Sequence, residues 1–279
     1  MPDARSASGD AAAMPSNEAV RAAWDANAAF WDERMGEGNT FHRHLVGPAA
    51  ERLLDLQPGE RVVEFACGNG QFSRRMADLG ATVVATELSE RMVERATART
   101  VGRPEIGERI TFSQLDATDP AALAALPGAP FDAAVCNMAI MDMVAVEPLF
   151  RAMSQLLRPG GRLVFTIMHP VLNNPGGVSL CAEESDVGGD LVTEYSLRVR
   201  RYRTTGATRG LAMVGQPVAQ WYVHRTLADL LGAAFAAGLV MDGIEEPYLP
   251  PDPAARTLSW SRFREIPPVL GVRLRVANG

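Results

Sequence analysis

A chain of 279 residues, 47% of them hydrophobic, can bury the core of one large α/β domain, or of one domain with a modest cap. The net charge of −6 argues against a general nucleic-acid binder, and no apolar run approaches the about 20 residues that a membrane helix needs. All 27 basic residues are arginine, which excludes a lysine base or a Schiff-base mechanism and points to a GC-rich bacterial genome. Met1 to Ser16 is rich in Ala, Ser, Asp and Pro, has no signal-peptide core, and reads as a disordered tail of a cytoplasmic protein. Asn17 to Met35 is an amphipathic helix with Val20, Trp24, Ala28 and Trp31 near one face, broken by Gly36-Glu-Gly38. A second helical stretch runs from Thr40 to Leu56, kinked or restarted at Pro48 and ended by Pro58-Gly59. Residues 17–57 are therefore expected to form a helical lid, and residues 58–279 the main domain.

From residue 61 strands and helices alternate. Short apolar strands are predicted at Arg61–Ala66, Thr82–Thr86, Arg109–Gln114, Phe131–Asn137 and Arg162–Met168. Between them lie a helix carrying Phe72, Met76 and Leu79, one capped by Ser89, and one from Glu147-Pro148 to the Arg158-Pro-Gly-Gly161 turn. Strands this apolar, separated by helices, imply parallel pairing in a doubly wound sheet with both faces covered. After His169-Pro170 the rhythm breaks. Asn173–Gly189 reads as loop, followed by strand-like runs at Leu191–Tyr202 and Ala212–Val223, a β-rich cap at about 170–225. Thr226 opens a last helix stopped by Gly238, and Val240–Glu245 with Val269–Val276 form a hairpin-like closure.

Three cysteines, at 67, 136 and 181, and four scattered histidines lack disulfide or metal-ligand spacing, so no metal site is expected. The nucleotide signal lies at Val62-Val-Glu64-Phe-Ala66-Cys-Gly68-Asn-Gly70, a buried strand entering a glycine turn that opens a helix. Glycine there lets the backbone approach a ligand, and the acid can accept from an ammonium or hydroxyl group. Glu87 ends the second strand, where doubly wound folds place a carboxylate for ribose hydroxyls, and Asp116 ends the third at the same rim. The glycine turn has a plainer reading as a strand–helix connection, and Glu87 one as a solvated strand-end acid.

Glu64-x-Ala-x-Gly68-x-Gly70, Glu87, Asp116-Ala117, Phe131-Asp132-Ala-Ala-Val-Cys-Asn137 and Leu157-Arg-Pro-Gly160-Gly161-Arg-Leu-Val-Phe resemble the ordered motifs of class I S-adenosylmethionine-dependent methyltransferases. The resemblance spans roughly 60 to 170 and is closest to small-molecule enzymes with a methyltransferase type 11/25-like domain. It implies a Rossmann-like seven-stranded sheet whose last strand is antiparallel, and S-adenosylmethionine as cofactor. It assigns Glu64, Ala66, Gly68 and Gly70 to the methionine portion, Glu87 to the ribose, Asp116 and Ala117 to the adenine, and Asn137 to the border of the sulfonium, with Leu88 among the cofactor-binding residues. Ala66 stands where the family usually has glycine.

Displacement at a sulfonium has a good leaving group, so orientation and exclusion of water can supply up to about 7–11 kcal/mol of the acceleration. A base adds roughly 10²–10⁴-fold where the acceptor must lose a proton. His169 and His224, each at a strand end, and Asp142, after the fourth strand, are the candidates. The alternatives are a hydrogen-bonded rim residue for each histidine and a helix-start acid for Asp142. Trp31, Phe41, Met168, Trp221 and Tyr222 are the expected acceptor-side residues, in keeping with segments that recur among small-molecule members of the family. They could equally pack the cap onto the core. Arg198, Arg200, Arg201 and Arg203 alternate faces in a strand, which suits a solvated edge better than a phosphate clamp.

The reading is methyl transfer to an O or N atom, less readily C, of a small molecule in secondary metabolism. Its alternative is a protein with the same fold that binds S-adenosylmethionine without transferring methyl. A dehydrogenase would prefer a third glycine where Ser73 stands, and a nucleic-acid methyltransferase an Asn-Pro-Pro-Tyr type segment where Asn137-Met-Ala-Ile140 stands.

Overall fold

Parallel pairing of the apolar runs organises the computed structural model, which describes residues 13–174, 177–252 and 259–277. Most of the expected disordered tail, residues 1–12, lies outside the described residues. Five strands run parallel: β1 (Arg61–Phe65), β2 (Thr82–Glu87), β3 (Ile110–Gln114), β4 (Phe131–Asn137) and β5 (Leu157–Met168). With β10 (Leu239–Glu245) and β11 (Val269–Val276) they form one seven-stranded sheet in the order β10-β11-β5-β4-β1-β2-β3. β11, the last strand, is antiparallel to both its neighbours. The expected sheet is therefore the observed one.

Period-two alternation distributes the strands' side chains over two cores. Val62, Ala133 and Val164 pack on one face with Phe72 and Met76 of α3 (Gln71–Asp78) and with Leu53 and Leu54 of α2 (Gly47–Leu54). Val63, Ala134 and Phe165 pack on the other with Phe150 of α7 (Glu147–Leu156) and Leu230 of α8 (Leu227–Ala236). Local chemistry sets the helix ends. The Ser16 and Ser89 side chains accept from the Ala19 and Met92 amides to start α1 (Asn17–Met35) and α4 (Glu90–Val101), and Thr226 with Asp229 forms a capping box on α8. The predicted kink at Pro48 is a π-helical turn, His42–Val46, that runs into α2. Two short helices, α5 (Pro104–Gly107) and α6 (Pro120–Ala124), complete the series.

The cap is more strand-rich than its sequence pattern suggests. The stretch expected as loop, Asn173–Gly189, contains β6 (Val178–Val187), which pairs antiparallel with β7 (Asp190–Val199). Gly188 and Gly189 have φ of 67° and 94°, the paired positive values of a two-residue hairpin turn. The expected run Ala212–Val223 is only partly strand. Its end joins β9 (Gln220–His224), paired with β8 (Gly206–Gly210), and Gly215 and Pro217 interrupt the rest.

Candidate active site

The carboxyl ends of β1 to β5 open into a cavity of about 750 Å³, roofed by α1 on one side and by the cap on the other. That volume suits a dinucleotide-sized ligand with a small partner beside it, since ligand cavities run from about 300 to 1,000 Å³. Glu64, Ala66, Gly68, Glu87, Leu88, Asp116, Ala117 and Asn137 all line it, as do Asp142, Trp31, Phe41, Met168 and Tyr222.

At the β1 end, Glu64 is 2% exposed and accepts a short hydrogen bond from the Ser73 hydroxyl. Burial pushes its carboxyl up to about 8 in spite of that bond. Ala66 and Gly68 both have positive φ, 54° and 56°. A Cβ added at Gly68 would meet no heavy atom within 4 Å, so the backbone there faces open cavity. Gly70 differs from its expected role. It is not among the lining residues, and a Cβ there would strike the Phe112 ring at 2.9 Å. Its glycine serves packing beneath the turn.

Glu87 closes the turn from β2: its carboxylate accepts from the Gly68 and Ser89 amides at 3.0 Å each. Burial raises its pKa, and those backbone bonds oppose the rise. Asp116 accepts from the Thr118 amide (2.8 Å) and hydroxyl (2.6 Å), and from the Asn17 side-chain amide of α1 (2.7 Å). At the β4 end the Asn137 carbonyl oxygen accepts from the Thr166 hydroxyl at 2.9 Å, while its amide nitrogen is buried without a partner. Met138 beside it holds φ 53°, a conformation uncommon for a long side chain.

The two candidate histidines do not reach the cavity. His169 Nε2 lies 3.3 Å from Glu246, and its Nδ1 accepts from the Val171 amide. Burial lowers the His169 pKa, partly offset by Glu246. His224 is 1% exposed, with Nε2 2.7 Å from the Tyr202 carbonyl oxygen and its ring against the Tyr202 ring. Neither lines the cavity. Trp221 is likewise elsewhere: on β9 it alternates with Gln220 and Tyr222, and its ring lies under the Arg209 guanidinium at 5.4 Å. Arg198, Arg200, Arg201 and Arg203 are all exposed and outside the cavity wall.

Of the three candidate bases, Asp142 is the one that lines the cavity. It is 5% exposed, its Oδ1 has no partner, and burial holds its carboxyl well above the usual range. Its loop is held by Arg225, which donates to the carbonyls of Ile140 (3.2 Å), Met143 (2.8 Å) and Val144 (3.1 Å). The cavity wall also carries apolar Met141, Met143, Met168, Met213 and Trp260. His42 also lines the cavity and was not foreseen; burial lowers its pKa to about 4, so it is neutral near pH 7. Asn17 was missed too, because its place depends on how α1 docks and no local pattern marks it. Among the described residues no group of three or more His, Cys, Asp or Glu is placed to hold a metal ion.

An open cradle at Gly68, an unpartnered Asn137 amide and acids at three successive strand ends together fit an adenosyl cofactor with an ammonium group. A family model described as methyltransferase domain matches residues 63–165. A solved S-adenosylmethionine-dependent methyltransferase from Mesorhizobium loti is 29% identical, with a TM-score of 0.63, over 82% of this chain and 96% of its own. The 27-O-demethylrifamycin SV methyltransferase of Amycolatopsis mediterranei is 29% identical over 170 residues, 60% of each protein. The [4+2]-cyclase SpnF, 17% identical with a TM-score of 0.60 over 96% of this chain and 99% of its own, shares the fold. The chain spans between 44% and 60% of the length of the first curated relatives it matches. Residues 63–165 are a methyltransferase domain, and the chain as a whole is similar to S-adenosylmethionine-dependent methyltransferases; S-adenosylmethionine is the cofactor its site residues fit.

Proposed function

We propose that this chain transfers a methyl group from S-adenosylmethionine to an oxygen or nitrogen atom, with carbon third, of a small-molecule acceptor in the secondary metabolism of a bacterial cytoplasm. The observation that carries the reading is one cavity with two halves. One half has Glu64, Glu87 and Asp116 at the strand ends, and the other has an apolar methionine and aromatic wall interrupted by Asp142. A roofed cavity of this kind suits a small acceptor better than a nucleic acid or a protein chain.

When bound, S-adenosylmethionine supplies an electrophilic methyl group. Glu64 and the 66–68 turn would hold its methionine portion, Glu87 the ribose and Asp116 the adenine. The residues of the chain orient the acceptor and exclude water, and Asp142 takes the proton from its hydroxyl or ammonium group. An acid whose pKa is raised toward the working pH is a stronger proton acceptor once ionised. Asp142→Asn is expected to lower turnover by about 10²-fold or more and to remove the rise of rate with pH. His169→Ala and His224→Ala should leave that pH dependence in place. Transfer of labelled methyl to panels of phenols, alcohols and amines checks this; undiminished turnover in Asp142→Asn would exclude the carboxylate as base.

A second reading keeps the cofactor and removes the transfer. The fold shared with a [4+2]-cyclase favours it. Label that stays on a bound cofactor with every acceptor would select it.

A further inference from the structure

We propose that Asn17, on the first turn of α1, is a positioning residue that makes the cofactor site selective for a 6-amino purine by fixing the Asp116 carboxylate. The proposal rests on the assignment of this cavity to S-adenosylmethionine and of Asp116 to its base. The observation is a closed ring of hydrogen bonds. Asn17 Nδ2 donates to Asp116 Oδ2 at 2.7 Å and to Thr118 Oγ1 at 2.6 Å. Thr118 donates to Asp116 Oδ1 twice, through its amide at 2.8 Å and its hydroxyl at 2.6 Å.

Donor counting fixes the direction of every bond. A hydroxyl has one proton. Because Thr118 Oγ1 accepts from Asn17, that proton is free to go to Asp116 Oδ1. Turning the Asn17 amide over would set its oxygen against a carboxylate oxygen, so the orientation with Nδ2 toward Asp116 follows from the network. A carboxylate oxygen has two lone pairs. Both on Oδ1 are taken by Thr118, and one on Oδ2 is taken by Asn17. One acceptor position remains on a group that lines the cavity. It accepts from an exocyclic amine and repels a carbonyl oxygen in the same place.

The ring closes only when α1 is docked. Elsewhere on the helix, Asp25 accepts from the Ser89 hydroxyl at 2.6 Å beside Glu87, and Asp32 accepts from the Asn69 amide at 3.2 Å in the Gly68 turn. The lid thus holds all three cofactor loops. Asn17 is the contact that bears on which base is accepted, and the other two bear on how tightly α1 sits.

The test is calorimetric titration of the full chain with S-adenosylhomocysteine and with S-inosylhomocysteine, which differs in carrying a 6-oxo group. The wild-type chain should prefer the adenosyl ligand by about tenfold or more, the usual weight of one well-placed hydrogen bond to a charged group. Asn17→Ala should cut that preference severalfold, and Asn17→Gln should restore part of it. Asp25→Ala serves as the control for the lid: it should weaken both ligands by the same factor and leave their ratio unchanged. If Asn17→Ala also weakens both ligands equally, or changes neither, the proposal is overturned, because a merely structural contact would behave that way. A wild-type chain that binds both ligands alike overturns it as well. Binding of neither ligand would instead remove the cofactor assignment on which it stands.

Discussion

At the scale of single residues, the acids at the strand ends act first on the protein itself. The Glu87 carboxylate receives the Gly68 and Ser89 amides and so shapes the turn that the cofactor must meet. Glu87→Ala should weaken S-adenosylmethionine by about 1–3 kcal/mol, the cost of a lost charged hydrogen bond; an unchanged affinity by calorimetry would remove Glu87 from the site. His42 carries a pH dependence whose sign follows from burial. Its folded pKa of about 4 lies below the ordinary 6.5, so stability is full above pH 6.5 and is lost as pH falls toward 4, where only the unfolded chain takes the proton. His42→Gln should remove up to about 2 kcal/mol of the loss between pH 6.5 and 5. Denaturant unfolding at both pH values checks it, and equal losses in variant and wild type would contradict it. The strand-end acids were legible in the sequence because strand order alone carries Glu64, Glu87 and Asp116 to one rim. His42 and Asn17 were not, since lid docking brings them to the cavity. His169 and His224 stood at strand ends as read, but Glu246 and Tyr202 hold them outside the cavity.

At the scale of elements, α1 is a bridge between the two halves of the cavity. Asn17, Asp25 and Asp32 fasten it to the cofactor loops, while buried Asn27 exchanges two hydrogen bonds with the Val218 backbone of the cap, at 2.8 and 3.0 Å. Asn27→Ala would leave both Val218 groups unpaired and should lower stability by about 2–4 kcal/mol. Hydrogen exchange at 211–219 should rise before exchange in the sheet does; protection lost uniformly would show that the contact is not local to the lid and cap. The five parallel strands were legible because each holds an apolar run bounded by turn residues, buried on both faces except in β3 at the sheet edge. The cap was read less well. β6 carries Glu183, Glu184, Ser185 and Asp186, so its exposed strand lacks the apolar alternation that marks a half-buried one, and only Gly188-Gly189 betrays the hairpin. β8, Gly-Ala-Thr-Arg-Gly, has no strand pattern at all and is held by its pairing to β9.

At the scale of the whole molecule, a seven-stranded sheet with one reversed strand supplies the rim, and two additions, lid and cap, enclose it. No described helix is long and apolar enough to cross a membrane. The additions wall the cavity above the rim, and they are where the sequence pattern said least. The central claim is that the rim binds an adenosyl cofactor through its strand-end acids. Parallel calorimetric titration with S-adenosylmethionine, S-adenosylhomocysteine and NAD tests it most directly. Micromolar binding of the two adenosyl compounds and none of NAD is the expected result. Binding of NAD alone, or of none of the three, would contradict the assignment of the site.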